Sequence, residues 1–189
     1  MPVLLERLGT EHHNLAQLLH ILERQLDRLS ARGQLDYPLL DLLLAYFLDF
    51  PERVHHPKED MLLARLQARA PDAAATVGSP LAEHCDLSLR TRRLADTVRA
   101  VARGGDAGER DYLARLGRDF VDFYFHHMHE ENENFFRLAA THLTDADWAT
   151  AEAEGESGDD PLFGGTVEER FRVLEREIHR LAMEARVAG

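Results

Sequence analysis

Residues 123–136 read FYFHHMHEENENFF, three histidines and three glutamates inside a stretch whose aromatic residues otherwise mark a core helix. Two readings are open: a solvated acidic face, or a cation site inside a helical bundle. The fourth apolar stripe of the chain runs Leu113, Leu116, Phe120, Phe123, His127, Glu131, Phe135 and Leu138. Residues three and four apart share one helix face, so this phase puts His127 and Glu131 in core positions.

The same spacing recurs upstream. A first stripe runs Leu5, Leu8, His12, Leu15, Leu19, Leu22, Leu26 and Leu29, ending near Gly33. A second runs Leu44, Leu48, Pro51, His55, Glu59, Leu62 and Leu66, followed by a loop over about 70–79 with Pro71, Gly78 and Ser79. A third carries His84, Leu87, Thr91, Leu94, Val98 and Val101 between Pro80, suited to a first helical turn, and Gly104–Gly105. Alternating strand-like runs are missing, so the chain is all-α, and four long helices with short joints predict an antiparallel up-down four-helix bundle over residues 1–142. Residues 143–189 form a C-terminal helical extension. Thr144 with Asp147 caps one short helix, GESGDDPLFGG is a loop, and Thr166 with Glu169 caps a last helix with an apolar face of Val167, Phe171, Leu174, Ile178 and Leu181. That tail is expected to lie against the bundle or to mediate self-association as a homodimer.

His12 to His84 spans 72 residues, as does His55 to His127. Sliding one half onto the other also brings Glu11 onto Glu83, Leu15 onto Leu87, Leu22 onto Leu94, Leu48 onto Phe120 and Glu59 onto Glu131. Two copies of one helical hairpin, related by a pseudo-twofold axis, are implied. His12 lies 21 residues before Gly33 and His55 lies 22 after it. At 1.5 Å per residue both are roughly 30 Å from that turn, and His84 and His127 bracket Gly105 in the same way, so all four share a level.

A single histidine on an apolar seam is ordinarily a satisfied core residue. Four at one level, with two glutamates at the same offset, are too costly to bury unpaired and call for cations. Cys85 is the only cysteine, so a thiolate cage is excluded; one residue past His84, it is expected to be a buried, inert thiol. The histidine and carboxylate donors of His12, His55, Glu59, His84, His127 and Glu131 suit iron first, with manganese and zinc as the other metals. His13, His20, His56, His126, His129, His142 and His179 fall off the seams and are expected at the surface, as are Glu130 and Glu133. Glu11 and Glu83 precede ligands in both copies, as exposed caps or as the lining of an entrance. Pro51 and Pro57 remove backbone donors around His55 and predict an irregular helix there.

The composition narrows the function classes. With 22 Lys+Arg against 34 Asp+Glu the formal charge is −12, a field that repels nucleic acid and anionic lipid. No stretch approaches 18 uninterrupted apolar residues and the N-terminus lacks a basic leader, so a cytoplasmic protein away from membranes is expected.

EHHNLAQLLHILE, VHHPKEDMLLARL, LAEHCDLSL and HHMHEENENFF together resemble the hemerythrin-like, HHE cation-binding family over roughly residues 4–142. The resemblance implies a centre of two non-haem iron ions in a four-helix bundle, with the six residues above at the matching positions. It also implies O2, NO or peroxide as the small partner. Reversible oxygen carriers have a further histidine one turn after the third-helix ligand; here that position is Ser88. The set of four histidines and two glutamates is more similar to bacterial di-iron proteins of nitrosative and oxidative stress and of iron-centre repair, without the cysteine-bearing domain that often accompanies them. Storage or donation of iron is the alternative role, and a metal-free interaction module the third.

Overall fold

The computed structural model describes residues 2–31, 33–155 and 158–188. Among these every regular element is helical. Helix α1, Val3–Ser30, buries Leu5, Leu8, His12, Leu15, Leu19, Leu22, Leu26 and Leu29, the whole of the first seam. Helix α2, Tyr37–Phe47, starts where the Asp36 side chain accepts the Leu39 amide at 3.0 Å, with Pro38 in its first turn.

The second stripe does not continue as one α-helix. The chain leaves α2 at Leu48–Asp49, makes a π-helical turn over Pro51–His55, and resumes as α3, His56–Arg69. In the π turn the His56 amide donates to the Pro51 carbonyl, five residues back. The break shifts the phase: Leu48 is half-buried, and Phe47, Phe50 and Val54 take the core positions.

A single turn, α4 (Pro71–Ala74), lies in the following loop. Helix α5, Pro80–Ala102, buries the third stripe in full, from His84 to Val101. Gly104, at φ +112, takes the left-handed conformation that reverses the chain. Helix α6, Ala107–Glu130, opens with a capping box between Asp106 and Glu109. A second π turn, Glu131–Phe135, joins it to α7, Phe136–His142. In the fourth stripe Leu116, Phe123 and Leu138 are half-buried, while Gly117, Val121 and Tyr124 move inward. A methyl group on Gly117 would stand 2.5 Å from Leu26 Cδ2, so the missing side chain lets α1 and α6 approach closely.

The elements pack as a helical bundle in which α1 and α5 lie against α6, α2 against α5, and α3 against α7. Helix α8, Asp145–Glu154, carries the Thr144–Asp147 capping box and rests on α1 and α3. The last helix, α9 (Arg172–Ala188), follows a 3-10 turn at Glu169–Phe171 and rests on α2 and α1. Thr166 is not its cap: Glu168 stands at the N-cap position, without a side-chain cap bond. Docking sets this start, because the fully buried Phe171 packs edge-on against Tyr46 at 5.6 Å and the Tyr46 hydroxyl donates to Asp160 Oδ2 at 2.8 Å.

The apolar core falls into two clusters. One holds Leu15, Leu19, Leu44, Phe47, Leu94 and Phe120; the other holds Leu8, Leu62, Leu66, Phe135, Phe136 and Trp148. Each fully buried side chain of this size contributes roughly 1.5–3 kcal/mol. His12 lies between Leu8 of one cluster and Leu15 of the other, and Glu59 between Val54 and Leu62. The polar layer therefore separates two hydrophobic bodies. Among the described residues, no helix is long and apolar enough to cross a membrane.

Candidate metal centre

All six residues singled out by the seams meet in this layer. His12 comes from α1, His55 closes the first π turn, Glu59 lies in α3, His84 in α5, His127 at the end of α6, and Glu131 opens the second π turn. Their exposures run from 0% for Glu59 to 6% for His84. His12 Nε2 lies 3.2 Å from Glu59 Oε1 and 3.4 Å from Glu131 Oε2. His55 Nε2 is 3.4 Å from Glu59 Oε1, and His127 Nε2 is 3.3 Å from Glu131 Oε2. His84 Nε2 is 3.4 Å from one oxygen of each glutamate. Each carboxylate thus faces imidazoles of both hairpins. Residue 127, not 126, is the inward member of its pair: His126 and Glu130 are both exposed.

The outward nitrogens are held as firmly. His55 Nδ1 is 2.8 Å from Glu11 Oε2, His127 Nδ1 2.9 Å from Glu83 Oε2, His84 Nδ1 2.9 Å from Asp60 Oδ1, and His12 Nδ1 3.2 Å from Asn132 Oδ1. An oxygen acceptor at Nδ1 places the proton there and leaves the Nε2 lone pair pointing inward. Glu11 and Glu83 are therefore orienting partners of the histidine on the neighbouring helix. Lys58 Nζ also binds Glu11, at 2.5 Å, and is buried.

Inside the layer His84 Nε2 and Glu131 Oε1 make one long contact at 3.4 Å, and most of the other polar atoms lack partners. His12 Nε2, His127 Nε2, both oxygens of Glu59 and Glu131 Oε2 are buried without a hydrogen bond. Nε2-to-oxygen separations of 3.2–3.4 Å are long for a charge-assisted hydrogen bond. They match the edges of a coordination polyhedron, about 3.0–3.4 Å for donors about 2.1 Å from a metal. The residues fit a cation, and the nitrogen and oxygen donors suit iron, manganese or zinc.

Without a cation, protons fill the same role. Burial alone would raise the Glu59 carboxyl, but His55, His12 and His84 hold it well below the usual carboxylate range. Burial would lower His12 and His84, yet Glu131 and Glu59 push each up to about 10.

Three residues near the layer differ from expectation or were not singled out by the seams. His56, expected at the surface, is 4% exposed, stacks on His84 with ring centroids 4.0 Å apart, and has no partner at Nε2. Burial, with His84 and His55 close by, pushes it well below the ordinary histidine range, so it is neutral. It groups with Glu59, His84 and His127 as a set able to hold a metal ion, as do His12, His55 and Glu59. The Tyr124 hydroxyl, one turn before His127, is likewise buried and unpartnered. Cys85 is exposed rather than buried, because α5 turns that face outward. His13, His20, His129, His142 and His179 are exposed, as expected.

Two cavities reach the outer partners. One of about 530 Å³ is lined by Glu11 and Lys58 on one side and by Gly158, Asp160, Phe163 and Gly164 of the extension. The other, about 360 Å³, is lined by Glu83, His126, Glu130 and Glu131.

Comparison with curated proteins and with solved structures gives no match. Comparison with protein families matches residues 3–139 to the Hemerythrin HHE cation binding domain, a span that holds all six buried histidines and glutamates of the layer. On that match and this donor set, the chain belongs to the hemerythrin HHE cation-binding family, whose domains bind metal ions, typically iron.

Proposed function

We propose that the chain carries a centre of two non-haem iron ions that binds or reacts with O2, NO or peroxide, in oxidative or nitrosative stress response or sensing. The bundle is an antiparallel up-down four-helix domain over residues 1–142, and residues 143–189 are its helical extension. His12, His55, Glu59, His84, His127 and Glu131 are the ligands, the two glutamates shared between the ions. The convergence of buried Nε2 and carboxylate atoms, most of them unpartnered and at coordination-edge separations, carries this reading.

When bound, reduced iron supplies electrons and open coordination for a small uncharged ligand. The chain does the rest. Glu11, Glu83, Asp60 and Asn132 fix the imidazole orientation. Phe135 and Phe136 wall the layer on one side and limit water. The cavity that reaches Glu131 is the way in for a diatomic.

Metal analysis of anaerobically purified protein, paired with Mössbauer and absorption spectra, tests the proposal. Two irons per chain, a new visible band on adding O2 to the reduced form and an iron-nitrosyl signal with NO are expected; silence in all of them removes it. Iron donation is the second reading, favoured by the cavity beside Glu83, through which an ion can exchange. Transfer of iron to an apo-acceptor faster than release to buffer distinguishes it.

A further inference from the structure

The 72-residue repeat superimposes more than the six central residues. It also carries Glu11 onto Glu83 and Asp60 onto Asn132, so all four orienting contacts at Nδ1 form two matched pairs. The pairs match in position and differ in charge.

Beside His12 and His55, Asn132 is neutral and Glu11 is paired with the buried Lys58. Beside His84 and His127 stand Asp60 and Glu83, and among the described residues no lysine or arginine pairs with either. The repeat places Glu130 where the first hairpin has Lys58. One half is thus backed by no net charge and the other by two negative charges. The third difference has the same sense. His56, with its unpartnered nitrogen, groups with His84 and His127, while its counterpart in the repeat is Met128.

A carboxylate behind a ligating imidazole raises its basicity and the field at the ion; an amide, or a carboxylate already neutralised by an ammonium group, does so less. We infer that the two cation positions are inequivalent: the His84–His127 half binds its ion more tightly and fills first, with Asp60 and Glu83 as its positioning residues. The inference rests on the proposed metal centre. Asp60 and Glu83 are 37% and 40% exposed, so solvent screens part of the advantage and the separation is roughly tenfold or somewhat more.

Anaerobic titration of the metal-free protein with Co(II), followed by calorimetry and absorption, reads the two steps. The unaltered chain is expected to show a tighter first ion and a second about tenfold weaker. Asp60→Asn weakens the tighter step, and Asn132→Asp, the mirror substitution, strengthens the looser one; both are near-isosteric and leave the six ligands in place. Lys58→Met also tightens the looser step. Two equal steps in the unaltered chain would overturn the inference, and so would Asp60→Asn weakening the looser step. No Co(II) binding at all removes the metal centre itself, an outcome distinct from two equal ions.

Discussion

Glu59 is as deeply buried as Leu15, each at 0% exposure, but the two are stable for opposite reasons. Leu15 belongs to an apolar cluster, where burial alone is favourable. Glu59 lies in a layer whose members are tolerable only together, two carboxylates answering four imidazoles and leaving several atoms unpartnered. The clusters on either side hold the bundle; the layer draws on that stability to keep its charged groups out of water. Apolar core and polar layer are thus separated by depth along one set of helices.

The largest way to test this division is to load the layer. At about a thousand times its dissociation constant, each bound Fe(II) adds about 4 kcal/mol to unfolding. Anaerobic denaturation with and without Fe(II) measures it, and no gain would make the layer an ion cluster alone. Next comes Phe120→Ala in the cluster that includes Phe47, expected to cost about 3–5 kcal/mol whether or not metal is present. If that cost depended on metal, the two regions would not be independent.

Comparable with this is the pH response of the metal-free protein. His12 and His84 are raised from 6.5 to about 10 in the folded chain. Their contribution is complete below about 6.5 and is lost as pH rises through about 10. The unfolding midpoint of the metal-free form should therefore fall across that window. Loaded protein should be flat there, and a flat metal-free profile would contradict the protonated layer. Smallest is Tyr46→Phe, which removes the hydroxyl's bond to Asp160 and should cost about 1 kcal/mol. Faster proteolysis within residues 158–171, with the bundle intact, is the sign that this contact anchors the extension.

What was legible in the sequence follows the same division. The seams of α1 and α5 are regular α-helix, so a constant 3.6-residue projection placed His12, His84 and their neighbours correctly. The projection failed at Pro51–His55, where five-residue hydrogen bonding changes the phase, and there Leu48 and His56 were misplaced. Lys58 was not singled out for a different reason: an ammonium group is buried only against a specific partner, and Glu11 comes from another helix. Asp60 and Asn132 had a readable signal. They are polar residues at the repeat's own offset, each one past a buried glutamate of the layer, but their chemical difference hid the match. Thr166 carries the letters of a cap, yet the docking of Phe171 decides where α9 begins.

The two π turns give the long helices slack. A π turn holds one residue more than the α-helical turn it replaces, so removing Glu52 from Pro51–His55 would let that stretch wind as ordinary helix with both flanks still in phase. The same deletion a turn further on, inside α3, would swing Glu59 away from the imidazoles. The second π turn lies beyond His127 rather than before it, so each hairpin stores its spare residue on a different side of its buried histidine. Single-residue length changes in this chain thus have two places where they can be absorbed without disturbing the polar layer.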